Sequence, residues 1–340
     1  MRVLVTGGTG FVGSHIARKL LRQGHDVCLL VRDADRARRF FGGLGEVMPE
    51  LRRGDITDRV SLSDALHSCD AVVHAAAGTP MKGVGDDQLM AINVGGTRNV
   101  VEAALDRGIE RVVCISSITA IFDPDPGKVT ADAEPKRSRL SYGRSKMEAE
   151  LYLRAKQAAG APIAVVYPGG VLGPDDPGFS DSCRALQYRI QHGFRIFGHG
   201  GMQYVDVRDL AALVCSLIEQ GGHGRFLLPG VYSSWVEQAD TIELVAGCEL
   251  ERIPAQGWKL RLVGRAMDLV RKFKTVDSPI SYETMCYATQ WPDIANTTEL
   301  QRRGLSLRPL QESFDDTLRW MVQAGHLDVD LCPNYGENHA

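Results

Sequence analysis

The opening residues limit the possible folds more than any other part of the chain. The apolar run Val3-Leu4-Val5 leads directly into glycines at positions 7, 8, 10 and 13, and residues 11–23 then follow a helical period that ends at Gly24. The first turn of a helix presents unpaired N–H groups and a partial positive charge, and a pyrophosphate can approach them only where side chains are absent. A strand, a glycine-rich turn and a helix in this order predict a dinucleotide-binding site.

Two motif spacings fit these glycines. One begins at Gly8 and reads G-x-G-x-x-G, and the other begins at Thr6 and reads Thr-Gly-x-x-Gly-x-x-Gly. Without the flanking strand and helix, either spacing would indicate only a tight structural turn. The residues of this loop predicted to contact the cofactor are Gly7, Thr9, Gly10, Phe11, Val12 and Gly13.

Short apolar runs alternate with helix-like segments through the first half of the chain. Further strand candidates lie at 27–31, 51–53, 71–73, 112–115 and 163–166. Uniformly apolar strands separated by helices predict an α/β fold: a Rossmann-type, doubly wound parallel sheet with a smaller, mainly helical C-terminal substrate region. The predicted dinucleotide-binding domain covers 1–167 and is rejoined by about 204–230, while 168–203 and 231–340 form the substrate-binding region.

The residue after the second strand selects the dinucleotide. An acidic residue there binds the ribose 2′-hydroxyl of NAD, whereas an arginine accommodates the 2′-phosphate of NADP. Arg32 follows Val31 at this position. The sequence therefore favours NADP(H), with NAD(H) possible, and the competing interpretation is a solvated arginine among the other basic residues of the next helix.

A Tyr-x-x-x-Lys pattern occurs twice, at Tyr142/Lys146 and at Tyr152/Lys156. On a helix both residues of such a pair share one face, and an ammonium beside a phenol is expected to lower the pKa of the tyrosine from its usual value near 10. Cofactors in open parallel sheets lie outside the carboxyl ends of the strands, where a crossover helix begins. The first pair is therefore the predicted catalytic pair, and the second is predicted to be a solvated surface pair about 15 Å further along the helix.

A carbonyl oxygen that gains negative charge needs a second hydrogen-bond donor. Ser116 and Ser117 follow the strand at 112–115, at the predicted carboxyl edge of the sheet. One of the two hydroxyls is expected to point at the substrate, whereas a polar strand end is the alternative interpretation.

Composition excludes several classes of protein. The 340 residues carry a net charge of −3, so no general attraction to nucleic acid or to an anionic membrane is expected. No signal peptide precedes the first strand-like run, and no apolar stretch approaches the roughly 20 residues of a membrane span. The eight cysteines are scattered without a Cys-x-x-Cys pair. The expectation is a cytoplasmic protein with free thiols, no metal, no membrane span and no nucleic-acid partner.

Together these features resemble the extended short-chain dehydrogenase/reductase family, which includes NAD-dependent epimerases and dehydratases. The resemblance covers nearly the whole chain, and Val31-Arg32-Asp33 is more similar to the dihydroflavonol-reductase and 3β-hydroxysteroid-dehydrogenase-like branches than to sugar-nucleotide epimerases. The motifs are TGGTGFVG (6–13), GDITD (54–58), HAAA (74–77), NVGGTRNV (93–100), ISS (115–117), YGRSK (142–146), YPGGVLGP (167–174) and YVDVRDLA (204–211).

The resemblance implies a catalytic set of Ser117, Tyr142 and Lys146, with Lys146 also bound to the nicotinamide ribose. Asn93 matches a helix asparagine of the family, and a local structural role is the alternative. Homodimers in this family often pair through helices such as 86–107 and 139–159. The further positions that the resemblance assigns to the cofactor are Asp55 and Ile56 for the adenine, Ala75, Ala76 and Ala77 for its middle, and Pro168, Gly169 and Val171 for the nicotinamide side.

Two departures from the family pattern concern the substrate side. Tyr167 stands where the family usually has arginine, and ITAIFD (118–123) replaces the usual Val-Tyr-Gly after Ser117. Both predict unusual contacts at that edge of the site.

Residues 258–274 predict a basic amphipathic helix, with Trp258, Leu262 and Leu269 on one side. It could pack on the core with a solvated basic face, cover an apolar substrate, or contact acidic groups or a membrane surface. YATQW (287–291) resembles a pocket edge in related reductases.

The predicted function is NADP(H)-dependent hydride transfer to or from a carbonyl or alcohol carbon of a small, apolar substrate. A sugar-nucleotide epimerase or dehydratase with tightly bound NAD is the alternative, although no second nucleotide-binding signature is visible. A non-catalytic dinucleotide sensor is a further alternative, but a sensor needs no proton donor.

Overall fold

The structure is a computed structural model that describes residues 1–79, 85–123, 128–197, 200–271, 273–274 and 280–336. Lys272, which the sequence placed in the basic amphipathic helix, lies outside these residues. The strands are β1 (Arg2–Thr6), β2 (Asp26–Val31), β3 (Glu50–Arg53), β4 (Ala71–His74), β5 (Val112–Ile115), β6 (Ile163–Pro168), β7 (Gly170–Leu172), β8 (Phe194–Phe197), β9 (Gly201–Asp206), β10 (Gly224–Leu228), β11 (Val231–Ser234) and β12 (Arg252–Ala255).

Helices flank these strands, and most of them cross between neighbouring strands. The α-helices are α1 (Phe11–Arg22), α2 (Ala34–Gly43), α3 (Arg59–Ala65), α4 (Asp86–Met90), α5 (Gly96–Leu105), α6 (Ser141–Ala158), α7 (Asp181–His192), α8 (Val207–Gln220), α9 (Trp235–Ala246), α10 (Gly257–Val270), α11 (Tyr282–Thr289), α12 (Glu299–Arg302) and α13 (Leu310–Gln323). A π-helical turn, Ala91–Gly95, joins α4 to α5. Among the described residues, no helix is long and apolar enough to cross a bilayer.

The main sheet has seven strands in the order β10-β6-β5-β4-β1-β2-β3, and each pair is parallel. The predicted α/β class and doubly wound parallel sheet are therefore confirmed. The order reverses at β1, so the crevice beside β1 and β4 is the topological switch point, where ligands of open parallel sheets bind. Strand β10, which was not predicted from the sequence, is the edge strand beside β6.

Both faces of this sheet are covered, which explains the uniformly apolar strands. Leu4 and Val72 belong to a core beneath α3, α5 and α6. Val3, Val5 and Val73 point to the other face and pack in a core with α1 and α8. Alternate residues of one strand thus enter two different cores, which is why the middle of β1 and of β4 is apolar on both faces and the polar residues stand at the strand ends.

The region after β6 is mainly helical, with α7 to α13. It also contributes a three-stranded sheet, β11-β9-β7, and a two-stranded sheet, β12-β8, which were not predicted from the sequence. A third core joins these sheets to α9 and α13 and includes Trp235 and Phe314. These strands are three to six residues long.

Backbone contacts explain why the loop after β1 contains glycine. Gly7 has φ of +71°, and a Cβ there would lie 2.6 Å from the nitrogen of Ala76. A Cβ on Gly13 would lie 2.3 Å from the carbonyl oxygen of Gly7. The loop and the start of α1 are therefore in contact through backbone atoms alone.

We expect Gly13→Ala to lower the free energy of unfolding by about 1–3 kcal/mol, because the added methyl group overlaps the Gly7 carbonyl. Gly42→Ala is the control, since Gly42 lies in α2 and a Cβ there would have no atom within 4 Å. The control should be neutral or stabilising by about 0.5–1 kcal/mol. Urea unfolding measures both values, and equal stabilities of the two variants would contradict the steric explanation.

Candidate functional site

The carboxyl ends of β1 and β4 bring two predicted cofactor segments together. Ala75 donates its N–H to the carbonyl of Thr6 at 3.2 Å, and Ala76 donates its N–H to Thr6 Oγ1 at 3.3 Å. The Ala75–Ala77 segment therefore runs beside the glycine loop, where Gly7 contacts its backbone. Residues nearly seventy positions apart in the sequence form one wall of a crevice with few side-chain atoms.

The N-terminus of α1 opens into this crevice. Gly10 is its N-cap residue, and no side chain caps the helix. The loop is closed by Gly10 N–H donating to the Gly7 carbonyl at 2.9 Å, and Thr9 and Val12 are only partly buried. Phe11 is buried with its ring edge-on to His15 at 5.6 Å. Free N–H groups at a helix start and an absence of side chains fit a pyrophosphate, so the residues present fit a dinucleotide.

A buried polar network beneath the crevice was not predicted from the sequence. His74 contacts Thr6 Oγ1 through Nδ1 at 2.8 Å and Thr97 Oγ1 through Nε2 at 3.1 Å. Thr97 donates its own proton to the Asn93 carbonyl at 2.6 Å. Thr97 must therefore accept from Nε2–H, which makes Nδ1 the acceptor for Thr6. Burial, followed by the charge of Lys146, lowers the pKa of His74 to about 3, so the imidazole is neutral.

Asn93 extends this network to the helix that carries the Tyr142/Lys146 pair. Its Oδ1 accepts from Gly78 N–H at 2.7 Å, and its Nδ2 donates to Ser145 Oγ at 2.9 Å. Ser145 donates to the carbonyl of Tyr142 at 2.8 Å. Asn93 thus ties the loop after β4 to the first turn of α6, and it is a positioning residue in this geometry.

The loops after β2 and β3 place Arg32 beside Asp55. The Arg32 side chain is 76% exposed, and its Nη1 lies 3.9 Å from Asp55 Oδ2. Thr57 holds the same carboxylate through its N–H and its hydroxyl, at 2.9 and 2.8 Å. Ile56 is buried, and its side chain packs on Gly96. A solvent-exposed guanidinium at the end of β2 is therefore available to an anionic group.

Ser117 lies close enough to Tyr142 for its hydroxyl to lower the pKa of the phenol, against the larger effect of burial. Ser117 Oγ also accepts from the hydroxyl and the N–H of Thr119, at 2.9 and 3.2 Å. Ser117 therefore has its own proton left to donate. Ser116 turns the other way and donates to buried Glu150 at 3.3 Å. Of the two serines considered in the sequence, only Ser117 reaches Tyr142.

Lys146 is buried one turn after Tyr142 on α6. Its Nζ donates to the carbonyl of Ile115 at 3.2 Å and lies 5.8 Å from the centroid of the Tyr142 ring. Burial lowers the pKa of Lys146 to about 8, and nearby Cys114 and Glu150 oppose this shift. The ammonium therefore stays close to the tyrosine without touching its hydroxyl.

The expected lowering of the Tyr142 pKa is wrong for this arrangement. The pKa of Tyr142 is raised to about 12, mainly by burial and secondarily by the charge of Asp181. The nearby Ser117 hydroxyl acts in the opposite direction. Loss of hydration destabilises the Tyr142 phenolate more than the ammonium of Lys146 stabilises it, because that ammonium donates to the Ile115 carbonyl. The phenol is consequently a proton donor at neutral pH.

Tyr167, noted as a departure from the family pattern, is fully buried and donates to Glu150 Oε1 at 2.5 Å. Arg154 donates to the same oxygen at 2.7 Å. Tyr167 of β6 thus binds α6 through Glu150, and its side chain is not exposed to a ligand. Sequence alone could not show this, because the partner carboxylate comes from another element.

The second Tyr-x-x-x-Lys pair lies away from the crevice. Tyr152 donates to Glu102 on α5 at 3.5 Å, and Lys156 lies 3.7 Å from the same carboxylate. Tyr152 is half-buried, so the pair is not fully solvated as predicted. It joins α5 to α6.

The break between β6 and β7 shapes the predicted nicotinamide side. Pro168 ends β6, and Gly169 donates its N–H to the Leu228 carbonyl at 3.3 Å. A Cβ on Gly169 would lie 2.3 Å from the oxygen of Pro229, so the chain passes close to β10 here. Val171 on β7 is partly buried.

Aromatic side chains lie close to Tyr142. Phe122 packs edge-on against Tyr287 at 4.5 Å and against Trp291 at 5.0 Å. Tyr287 is close enough to Tyr142 for the Tyr142 phenol to contribute to raising the pKa of Tyr287, after the larger effect of burial. The ITAIFD and YATQW segments, which the sequence singled out separately, therefore meet as one apolar wall beside the candidate catalytic residues.

The described residues contain no group of three histidine, cysteine, aspartate or glutamate side chains suited to a metal. The eight cysteines are free thiols.

A model of the NAD dependent epimerase/dehydratase family matches residues 3–228. Sterol demethylase protein B of Methylococcus capsulatus is 25% identical over 96% of this chain and 99% of its own length. Cinnamoyl-CoA reductase 1 of Oryza sativa is 29% identical over 96% of this chain and 92% of its own. The crystal structure of gox2253 superimposes with a TM-score of 0.80 at 25% identity, over 96% of this chain and 99% of that one.

The family match covers well over half of the chain, and the glycine loop and the parallel sheet agree with it. We conclude that the chain belongs to the NAD dependent epimerase/dehydratase family, within the extended short-chain dehydrogenases/reductases, and that it is an enzyme that binds a nicotinamide dinucleotide.

Proposed function

We propose that the protein is an NADP(H)-dependent oxidoreductase that transfers a hydride to or from a carbonyl or alcohol carbon of a small, apolar substrate. The observation that carries the proposal is the proximity of three side chains: the Ser117 hydroxyl is close enough to Tyr142 to lower the pKa of its phenol, and Lys146 Nζ lies 5.8 Å from the Tyr142 ring. Residues 1–167 and 204–230 would bind the dinucleotide, and 168–203 and 231–340 would form the substrate region.

The nicotinamide supplies or accepts the hydride when bound. In the reductive direction, Ser117 donates a hydrogen bond to the substrate oxygen, and Tyr142 gives that oxygen its proton. A single substrate oxygen would accept from both hydroxyls, since Ser117 lies near enough to influence the ionisation of Tyr142. In the oxidative direction, Tyr142 takes the proton back.

Lys146 would act on both tyrosine and cofactor. Its ammonium would stabilise the Tyr142 phenolate that forms as the proton leaves, and the family resemblance implies that it would also hydrogen-bond the nicotinamide ribose. Glu150, buried one turn further along α6, favours the charged form of Lys146. Tyr167 and Arg154 hold Glu150 in place.

Two observations favour an apolar carbonyl compound. The wall formed by Phe122, Tyr287 and Trp291 offers aromatic surface rather than hydrogen-bond donors to the substrate. The relatives that match nearly end to end are named for a sterol and for cinnamoyl-CoA. The family also contains epimerases, which retain NAD and give no net cofactor turnover, so consumption of added NADPH distinguishes the two activities.

We expect Tyr142→Phe to lower kcat for carbonyl reduction by about 10²–10⁴-fold, because the proton donor is lost. Tyr152→Phe is the matched control and should keep its activity, since its hydroxyl contacts only Glu102 among the described residues. The measurement is NADPH oxidation on the best substrate from a panel of aldehydes, ketones, flavanonols and keto-steroids. Equal activity of Tyr142→Phe and the native protein would refute the mechanism.

Arg32→Asp tests the choice of dinucleotide. The substitution should weaken NADPH binding at least about tenfold more than NADH binding, because it replaces a cation at the 2′-phosphate with an anion. Arg38→Asp is the control, since this exposed arginine of α2 is paired with Asp35. Isothermal titration with each cofactor measures the ratio, and a parallel loss of both affinities would contradict the NADP(H) assignment.

The pH profile tests Lys146. Tyr142, with a pKa of about 12, stays protonated across the neutral range, whereas Lys146 loses its charge as pH rises through about 8. Reduction should therefore be level below pH 8 and decline above it. In Glu150→Gln the decline should begin at lower pH, since the removed carboxylate favours the ammonium. A profile unmoved in the folded variant would exclude Glu150 from this role.

A further inference from the structure

Helix α10 leaves its apolar face in solvent. Trp258, Leu262 and Leu269 are 55%, 52% and 56% exposed, and Phe273, just beyond the helix, is 80% exposed. The opposite face is buried at Gly264. Of the three interpretations that the sequence left open, packing of the apolar side on the core is therefore wrong. The side turned inward has Gly264 buried, with Leu260 and Met267 partly buried beside it.

Contacts with α11 fix this orientation. A Cβ on Gly264 would lie 2.6 Å from the carbonyl oxygen of Ser281, so the two backbones are in direct contact. Arg261 Nη1 donates to Thr289 Oγ1 at 2.8 Å on the same inner side. Rotating the apolar face onto the molecule would break both contacts, which disfavours closure of α10 over the candidate site.

The surface around the apolar face is positive. Lys259 and Arg265 on α10 are exposed, as is Lys274 beyond it. Asp268 is the one acidic residue of α10, and it is turned inward to Arg139 and Arg271, at 3.5 and 3.2 Å. The exposed cations therefore have no acidic neighbour on the helix to offset them.

We propose that α10 docks on an anionic phospholipid bilayer. Trp258, Leu262 and Leu269 would enter the boundary between headgroups and acyl chains, and the flanking cations would meet the lipid phosphates. Apolar contact and charge attraction are both needed for stable surface binding, and α10 provides both. A second copy of the chain fits this face less well, because a twofold contact would set the positive helix against itself.

The position of α10 links the proposed membrane surface to the candidate site. It packs on α11, whose Tyr287 belongs to the aromatic wall beside Tyr142. Glu283 of α11 accepts from Ser138 and from the N–H of Arg139, just before α6. A docked α10 would bring α11, which carries Tyr287, close to the bilayer. The binding itself does not depend on the proposed reaction.

The test is flotation of the full-length protein with vesicles of phosphatidylcholine and phosphatidylglycerol, compared with phosphatidylcholine alone. We expect binding to the anionic vesicles, weaker binding to the neutral ones, and loss of the difference at high salt. Tryptophan emission should shift to the blue on binding, and Trp258→Phe should remove the shift, because Trp258 is the exposed indole among the described residues.

The double variant Leu262→Ser/Leu269→Ser should reduce partitioning at least about tenfold, because two exposed leucines no longer enter the apolar layer. Val60→Ser/Leu244→Ser removes two similarly exposed apolar side chains elsewhere and should bind as the native protein does. Circular dichroism confirms folding of both. Absence of vesicle binding, equal binding of the two variants, or an α10-dependent dimer that excludes vesicles in sedimentation would each overturn the proposal.

Discussion

The backbone contact between Gly7 and the Ala75–Ala76 segment is the constraint on which the rest of the site depends. It lets two strand ends of the parallel sheet approach without intervening side chains, and it points the start of α1 into the resulting crevice. Any Cβ at Gly7 or Gly13 would push these backbones apart. The crevice for the dinucleotide thus forms because side chains are absent at these glycines. The candidate catalytic residues lie on α6 and at the end of β5.

Buried hydrogen bonds fix the position of α6 relative to the glycine loop. Thr6, His74 and Thr97 lie beneath the crevice, and Asn93 and Ser145 continue the hydrogen bonds to the first turn of α6. On another side of α6, its residue Glu150 accepts hydrogen bonds from Tyr167 of β6 and from Ser116 after β5. Arg154, one turn further along α6, donates to the same carboxylate. The hydroxyl of Tyr142 is therefore held relative to the glycine loop by side-chain hydrogen bonds on both sides of its helix.

Local patterns were sufficient to predict the parallel sheet and the position of the glycine loop between β1 and α1, because strand ends and helix starts follow from short runs of residues. The same reasoning failed where the outcome depends on partners distant in sequence. It gave the wrong direction for the Tyr142 pKa, since burial at this position outweighs the nearby ammonium. It also missed β10 and the support of Glu150 by Tyr167. For α10, periodicity revealed two faces but not which of them would meet the rest of the protein.

The buried imidazole of His74 has a consequence for the whole molecule. Its neutral ring donates in one direction and accepts in the other, and a second proton would leave Thr6 facing a donor in place of an acceptor. Because the folded-state pKa is about 3 against an ordinary value of 6.5, the unfolded chain takes up this proton first as the solution is acidified. Folding free energy is therefore lost through this one residue as the pH falls below the ordinary value. The protein thus has an acid limit that comes from an imidazole beneath the cofactor crevice, and the charge of Lys146 contributes to it.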